Sequence, residues 1–278
     1  MFPIGLIFAN IADALNLVDN KFVLSRLKVP NKTFLVLVFF LAFILCALVF
    51  PFLAKIDLSN FSYRYLFLFL LMTALAITHN FLFQRALRSE NVNEVELYHM
   101  LTPLSVILFA AILVPGEFSW KPFVAAMAGA IALIFAHLEK RHLKFDRYTP
   151  LLLFYLILIA LDVVVIKLLL GVFSPIALYF FRCGAVFLFY LIIFGIPRQE
   201  YKLINIKNIL FIAFLWVVYS FFTMESYVSV GVVTTTLFLL IAPAMVYLLS
   251  HRYFGERIQK RQIISTLIIV AAIIFCSY

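Results

Sequence analysis

From residue 2 to residue 277 the chain is a succession of apolar stretches of about 20 residues, separated by short polar hinges. A helix needs about 20 mostly apolar residues to cross the hydrocarbon core of a bilayer. The stretches are too long for transmembrane barrel strands and lack their alternation. The fold class expected is therefore an all-α polytopic membrane protein. Ten spans fit: 2–24, 32–54, 64–87, 93–114, 119–138, 151–171, 175–195, 207–228, 232–253 and 259–277. Little is left over for a soluble domain. The composition agrees, with 66% hydrophobic and 13% charged residues, against about 45–50% and about 25% in a soluble domain. The first stretch, MFPIGLIFANIADALNLVDN, has no basic start and carries Asp13 inside its apolar run. It reads as a true first helix, not a cleaved signal.

A net charge of +9 could suggest nucleic acid in a soluble protein. In a membrane chain, loop Lys and Arg read as topology signals and contacts with anionic lipid, and no nucleic-acid partner is expected. Counted by loop, 17 of these residues lie on one side of the ten spans and 4 on the other, with Arg182 left inside the seventh. The positive-inside rule puts the basic loops in the cytoplasm, so ten spans leave both termini outside. The location expected is a bacterial inner membrane. Cys46, Cys183 and Cys276 all fall within apolar stretches. They read as small buried hydrophobes, with no disulfide framework and no metal site. No GxxxxGK[ST] stretch exists, so direct use of ATP is not expected, and no cofactor is.

The chain also repeats itself. Residues 81–119 read FLFQRALRSENVNEVELYHMLTPLSVILFAAILVPGEFS, and residues 221–258 read FFTMESYVSVGVVTTTLFLLIAPAMVYLLSHRYFGERI. Each is the end of an apolar stretch, a polar hinge, a second apolar stretch broken by one proline, and a Gly-Glu turn. Gln84 and Pro103 match Met224 and Pro243 at an offset of 140 residues, and Glu117 matches Glu256 at 139. Upstream, Lys21 matches Lys167. Two five-helix inverted repeats are expected, 1–142 and 143–278, divided at the basic linker EKRHLKFDRYTP. Such duplication commonly marks transporter folds with sites at the repeat interface. A proline inside a helix removes a backbone hydrogen bond, so both proline-bearing spans are expected to bend.

Candidate site residues follow from polarity in the wrong solvent. Asn10, Asp13, Asn16 and Asn20 share one helical face, and lipid would not tolerate that face. The third span carries Thr73, Asn80 and Gln84 on one stripe, with His79 beside it, and the eighth carries Trp216, Tyr219, Thr223 and Tyr227. Through the repeat, His79 and Asn80 fall on Tyr219 and Ser220, so one register is polar in both halves and points to a cavity. Charges inside a bilayer cost at least about 2.5–3.5 kcal/mol and are functional candidates by default. These are Asp13, Asp162, Arg182 and Glu225. The competing reading is an ion pair of Asp162 or Glu225 with Arg182 that only fixes packing. The substrate-binding candidates are Asn10, Asn16, His79, Asn80, His99, Arg182, Trp216, Tyr219, Ser220 and Glu225. The ion-coupling candidates are Asp13 and Asp162. Asp13 is the better of the two, because its stripe of asparagines suggests water access and no basic residue lies one helical turn away, whereas Asp162 has Lys167 five residues on and Arg182 as a candidate partner. His79 and His99 lack a third metal ligand at suitable spacing. Glu94 and Glu96 open the fourth span, where the helix dipole favours acids. Glu117 and Glu256 are expected to cap the fifth and tenth helices.

With its two halves, the Lys ending the first and sixth spans, the prolines at 103 and 243, and the final hairpins GEFSWKPFVAAMAGAIAL and GERIQKRQIISTLIIVAAIIF, the chain resembles the drug/metabolite transporter superfamily. The likeness is to its EamA-like ten-helix members and covers nearly the whole chain. It implies a central cavity enclosed by both repeats, which small organic solutes cross by alternating access. It does not identify the solute. EamA-like carriers place both termini in the cytoplasm, whereas the charge count here implies the reverse. The function expected is a secondary transporter of a small polar or amphipathic solute, coupled to protons or to a counter-substrate. A flippase for lipid-linked sugars and a non-transporting membrane scaffold are the alternatives. An intramembrane enzyme would need acids or histidines gathered at one interface, and the short loops and scattered acids do not supply them.

Overall fold

The computed structural model describes residues 4–25, 29–57, 59, 62–89, 92–137, 149–195, 206–254 and 260–277. These form eleven helices: α1 (Ile4–Ser25), α2 (Asn31–Leu53), α3 (Tyr63–Ser89), α4 (Val92–Leu113), α5 (Trp120–His137), α6 (Thr149–Leu169), α7 (Pro175–Phe194), α8 (Ile206–Ser229), α9 (Val232–Leu239), α10 (Ala242–Phe254) and α11 (Lys260–Ser277). They correspond to the ten expected spans, with the ninth divided in two. The only β pairing among the described residues is an isolated antiparallel bridge between Ile56 and Phe173. Most of the basic linker lies outside the described residues.

The solvent of this fold is read from its surface. Phe52, Ile192 and Ile112 are 83%, 80% and 79% exposed, while Asn10, Asn16, Asn20, His79, Asp162 and Arg182 are buried. Water would reverse that distribution; hydrocarbon produces it, because an apolar side chain loses nothing there and a polar one must find a partner inside. By length and composition α2, α3, α7 and α8 can each cross a bilayer. The chain is a multi-pass helical membrane protein.

The helices of the two halves interleave. α2 packs on α7, α5 on α11 and α4 on α9; α1 packs on α8 as α3 does on α6; α4 packs on α6 as α1 does on α10. Exchanging the halves maps each of these pairings onto another in the set or onto itself. Close approach needs small residues. A Cβ added to Gly5 would lie 2.6 Å from the Phe222 ring, and one on Gly184 would lie 2.9 Å from the Phe43 ring. These two glycines let α1 and α8, and α2 and α7, come together.

The two prolines differ in effect. α4 runs unbroken through Pro103, whereas the chain is unwound at Leu240 and Ile241, just before Pro243. Bends of one kind in both halves were expected; the structure breaks one helix and leaves the other continuous. Pro243 has no N–H for the Leu239 carbonyl, and its ring crowds that oxygen. The chain tightens instead, with Leu240 N–H donating to Leu237 O at 3.3 Å and Ile241 N–H to Phe238 O at 3.2 Å. A second donor comes from α1: the Asn10 amide reaches Phe238 O at 3.2 Å and Leu6 O at 2.7 Å. The offset that pairs Lys21 with Lys167 puts Leu156 at the matching place on α6. Leucine has no donor to offer, so an opened α4 would have no such support.

Glu117 does not cap α5, as the sequence suggested. Its Oε2 accepts the N–H groups of Val232 at 2.6 Å and Val233 at 3.3 Å, at the start of α9. Gly231, at φ +87°, turns the chain so that these N–H groups meet the carboxylate. The matching Glu256 lies outside the described residues, as do the side chains of Glu94 and Glu96.

Candidate functional site

A cavity of about 280 Å³ lies at the centre of the bundle, lined from both halves. That is just below the size of typical small-molecule pockets, about 300–1,000 Å³. α1 contributes Asp13, Asn16 and Asn20; α3 contributes His79 and Asn80; α4 contributes Thr102 and Pro103. From the second half come Tyr155 and Asp162 on α6, Tyr179 and Arg182 on α7, and Trp216, Tyr219, Ser220, Thr223 and Tyr227 on α8. The broken helix adds Thr236, Leu239 and Pro243. Residues on both sides of the break are therefore part of the wall.

Of the candidates read from the sequence, Asp13, Asn16, His79, Asn80, Asp162, Arg182, Trp216, Tyr219 and Ser220 line this cavity. Asn10 does not; its amide supports the break between α9 and α10. Glu225 is exposed and does not line this cavity. It stands two residues from both Thr223 and Tyr227, about 200° around the helix from the lining face. The side chain of His99 lies outside the described residues.

One oxygen organises the polar wall. Asp162 Oδ2 receives Arg182 Nη2 at 2.6 Å and meets His79 Nε2 at 3.1 Å. His79 Nε2 and Arg182 Nη2 are 3.4 Å apart. The three side chains come from α6, α7 and α3, and all are buried. The second oxygen, Oδ1, is buried without a hydrogen-bond partner. The expected pairing of Arg182 thus falls on Asp162 and not on Glu225, and His79 joins it. Tyr190 helps to hold α3 in place, donating from its hydroxyl to Ile77 O at 2.7 Å.

On the opposite wall, the Asn20 amide donates to Asn16 Oδ1. Asp13 has no hydrogen bond or ion pair among the described residues. The Lys21–Lys167 offset places Asn16 at the register of Asp162, so matching positions of α1 and α6 both face the cavity, as an amide and as an acid. Aromatic rings complete the lining. Phe39 meets Trp216 edge-on at 5.3 Å, and Tyr155 stacks on Phe83 at 5.5 Å.

Tyr155, Tyr179 and Thr236 were not singled out from the sequence. Tyr155 stands seven residues before Asp162 and Tyr179 three before Arg182, spacings that put each on the face of its charged neighbour. That signal was available. Among the described residues no three His, Cys, Asp or Glu side chains lie together as a metal would need. The three cysteines are free.

No curated protein matches the chain. A crystal structure of 15% sequence identity shares its fold, with a TM-score of 0.70 over 97% of this chain and 96% of the other. At that identity the likeness concerns the fold alone. Residues 148–278 match the EamA-like transporter family, a family of transporters and not of enzymes. The second half of this membrane chain is thus similar to an EamA-like transporter domain.

Proposed function

We propose that the protein is a secondary transporter that carries a small polar or amphipathic solute through its central cavity by alternating access. The observation that carries this reading is the convergence of polar side chains from both halves on one cavity inside an apolar bundle. Asn16, Asn80, Trp216, Tyr219 and Ser220 are assigned to the solute. Arg182 and His79 hold Asp162, which makes that trio a structural element of the wall. Asp13, without a partner in the described structure, is assigned to ion coupling: it takes a proton from one side and releases it to the other.

Residues 1–142 and 143–278 are assigned as the two repeats. Each has five spans, an odd number, so the second enters the membrane from the side opposite to the first. The pairings that survive exchange of the halves support this arrangement. The break at Leu240–Ile241 gives the ninth span a place to pivot beside the solute.

The test is thermal unfolding of purified protein against a library of amino acids, amines, sugars and nucleotides. A bound solute raises Tm by mass action. The expected result is a stabilising class whose effect is lost in Asn80→Leu and Tyr219→Leu, both still folded. A folded protein that no solute stabilises, and that moves none into vesicles, would favour a scaffold.

A further inference from the structure

Glu117 belongs to the turn between α4 and α5, yet among the described residues every partner of its carboxylate lies in the second half. Oε2 accepts the N–H groups of Val232 and Val233, and Oε1 pairs with Lys167 Nζ at 3.3 Å. Lys167 also donates to the carbonyl of Tyr227, near the end of α8. The Glu117 side chain is 8% exposed and that of Lys167 23%. A Cβ on Gly231 would lie 2.7 Å from Glu117 Oε2. The carboxylate therefore occupies space that any other residue at 231 would fill.

The position of this cluster gives it meaning. α4, α6 and α8 end here, and α5 and α9 begin. Ile166, Tyr227 and Thr236 line the cavity. Lys167 is next to Ile166, the Tyr227 carbonyl is itself an acceptor in the cluster, and Val232 lies one turn before Thr236. The ion pair thus closes the bundle directly beyond the cavity, at the end away from the heavily basic loops. The free N–H groups at the start of α9 carry the positive end of its dipole, so one carboxylate answers two positive partners on different helices. Such a contact is held by charge at the rim and not by interlocked side chains. Lys167 keeps 23% of its side-chain surface open against 10% for Arg182, so this pair has a charge that water can reach more readily than the Asp162–Arg182 pair inside.

We propose that Glu117 is a latch: its carboxylate clamps α9 and Lys167 together and shuts this end of the cavity, which opens when the clamp lets go. The proposal rests on the transport reading of the cavity, but its test needs no solute. With Cys46, Cys183 and Cys276 replaced by alanine, Thr236→Cys places one thiol on the cavity wall. A charged, membrane-impermeant maleimide is then added to right-side-out and to inverted vesicles. A Ser59→Cys control, in the exposed turn at the same end, tells which vesicles present that end.

With the latch intact, Thr236→Cys should label slowly from that end. In Glu117→Gln or Lys167→Gln it should label about tenfold faster, since loss of a charge contact made in only one state shifts the balance between states. Glu117→Gln keeps a side-chain oxygen for the α9 N–H groups, so a purely static cap would leave labelling unchanged. Unchanged labelling in both variants, each monodisperse on gel filtration, overturns the latch. So does fast labelling from that end with Glu117 and Lys167 in place, a result that depends on no latch variant. Failure to find any stabilising solute would count against the transport reading and would leave this measurement intact.

Discussion

Asp162 shows how costly a residue can be inside this bundle and still be kept. Its carboxylate and the Arg182 guanidinium, 2.6 Å apart, are both buried. Desolvation of the two charges offsets much of their attraction, so the pair adds little net stability, but removal of one partner strands the other. Asp162→Asn should therefore cost about 3–5 kcal/mol, read as a lower Tm and a lower yield of folded protein. The double variant Asp162→Asn with Arg182→Gln should recover much of the loss. An Asp162→Asn protein as stable as wild type would contradict this account of the wall. Asp13 should behave differently because nothing in the described structure depends on its charge. Asp13→Asn is expected to fold and bind solute but to lose the response of transport to a pH gradient in reconstituted vesicles. Wild-type pH-driven rates in that variant would remove Asp13 from coupling. At this scale the sequence was legible where a polar residue stands in an apolar helix, as Asn16, Asn80 and Asp162 do. It was not legible where the residue is amphipathic. Tyr155 and Tyr179 disappear among 33 Phe and 13 Tyr. Glu225 misled for the opposite reason: its charge drew attention, while its angle on α8 turns it away from the cavity.

Between Pro103 and Pro243 the deciding factor lies on another helix. Both prolines remove the same hydrogen bond, but among the described residues only the second has an asparagine across from it, with Asn10 donating to the Phe238 carbonyl. Sequence periodicity finds helices because it depends on neighbours three and four residues away. It does not find this break, because the donor is 228 residues distant. Two variants separate the contributions. Pro243→Ala restores a donor to the Leu239 carbonyl and lets α9 and α10 join. Because Leu239 and Pro243 line the cavity, this variant should unfold at the wild-type temperature or above, yet lose much of its stabilisation by solute. Asn10→Leu removes the second of two donors to the Phe238 carbonyl, Ile241 N–H being the first, and should cost about 0.5–1.5 kcal/mol. Thermal unfolding with and without solute checks both. Loss of stability in Pro243→Ala, with solute binding intact, would mean that the break shapes the fold and not the site.

At the scale of the whole molecule, the distribution of charge decides which end faces the cytoplasm. Helix order and the even span number place both termini at the same end as the turns after α2, α4, α6 and α8. That end carries 4 loop Lys and Arg against 17 at the other. The structure sharpens the contrast, since Lys167, one of the four, is paired with Glu117 and contributes little free charge. Orientation follows the basic residues of short loops, and the loops here are short. The resemblance to EamA-like carriers argues the other way, because those proteins hold their termini in the cytoplasm. The two arguments are independent: charge acts during insertion, whereas a shared fold can be threaded from either side with its packing unchanged. Charge is the physical cause of orientation, so it should prevail. Reporter fusions after Tyr278 should read as non-cytoplasmic, and fusions within residues 140–147 as cytoplasmic. Opposite readings at both positions would overturn the orientation and place the Glu117 latch on the cytoplasmic side, while the helices, the cavity and the latch chemistry would stand as described.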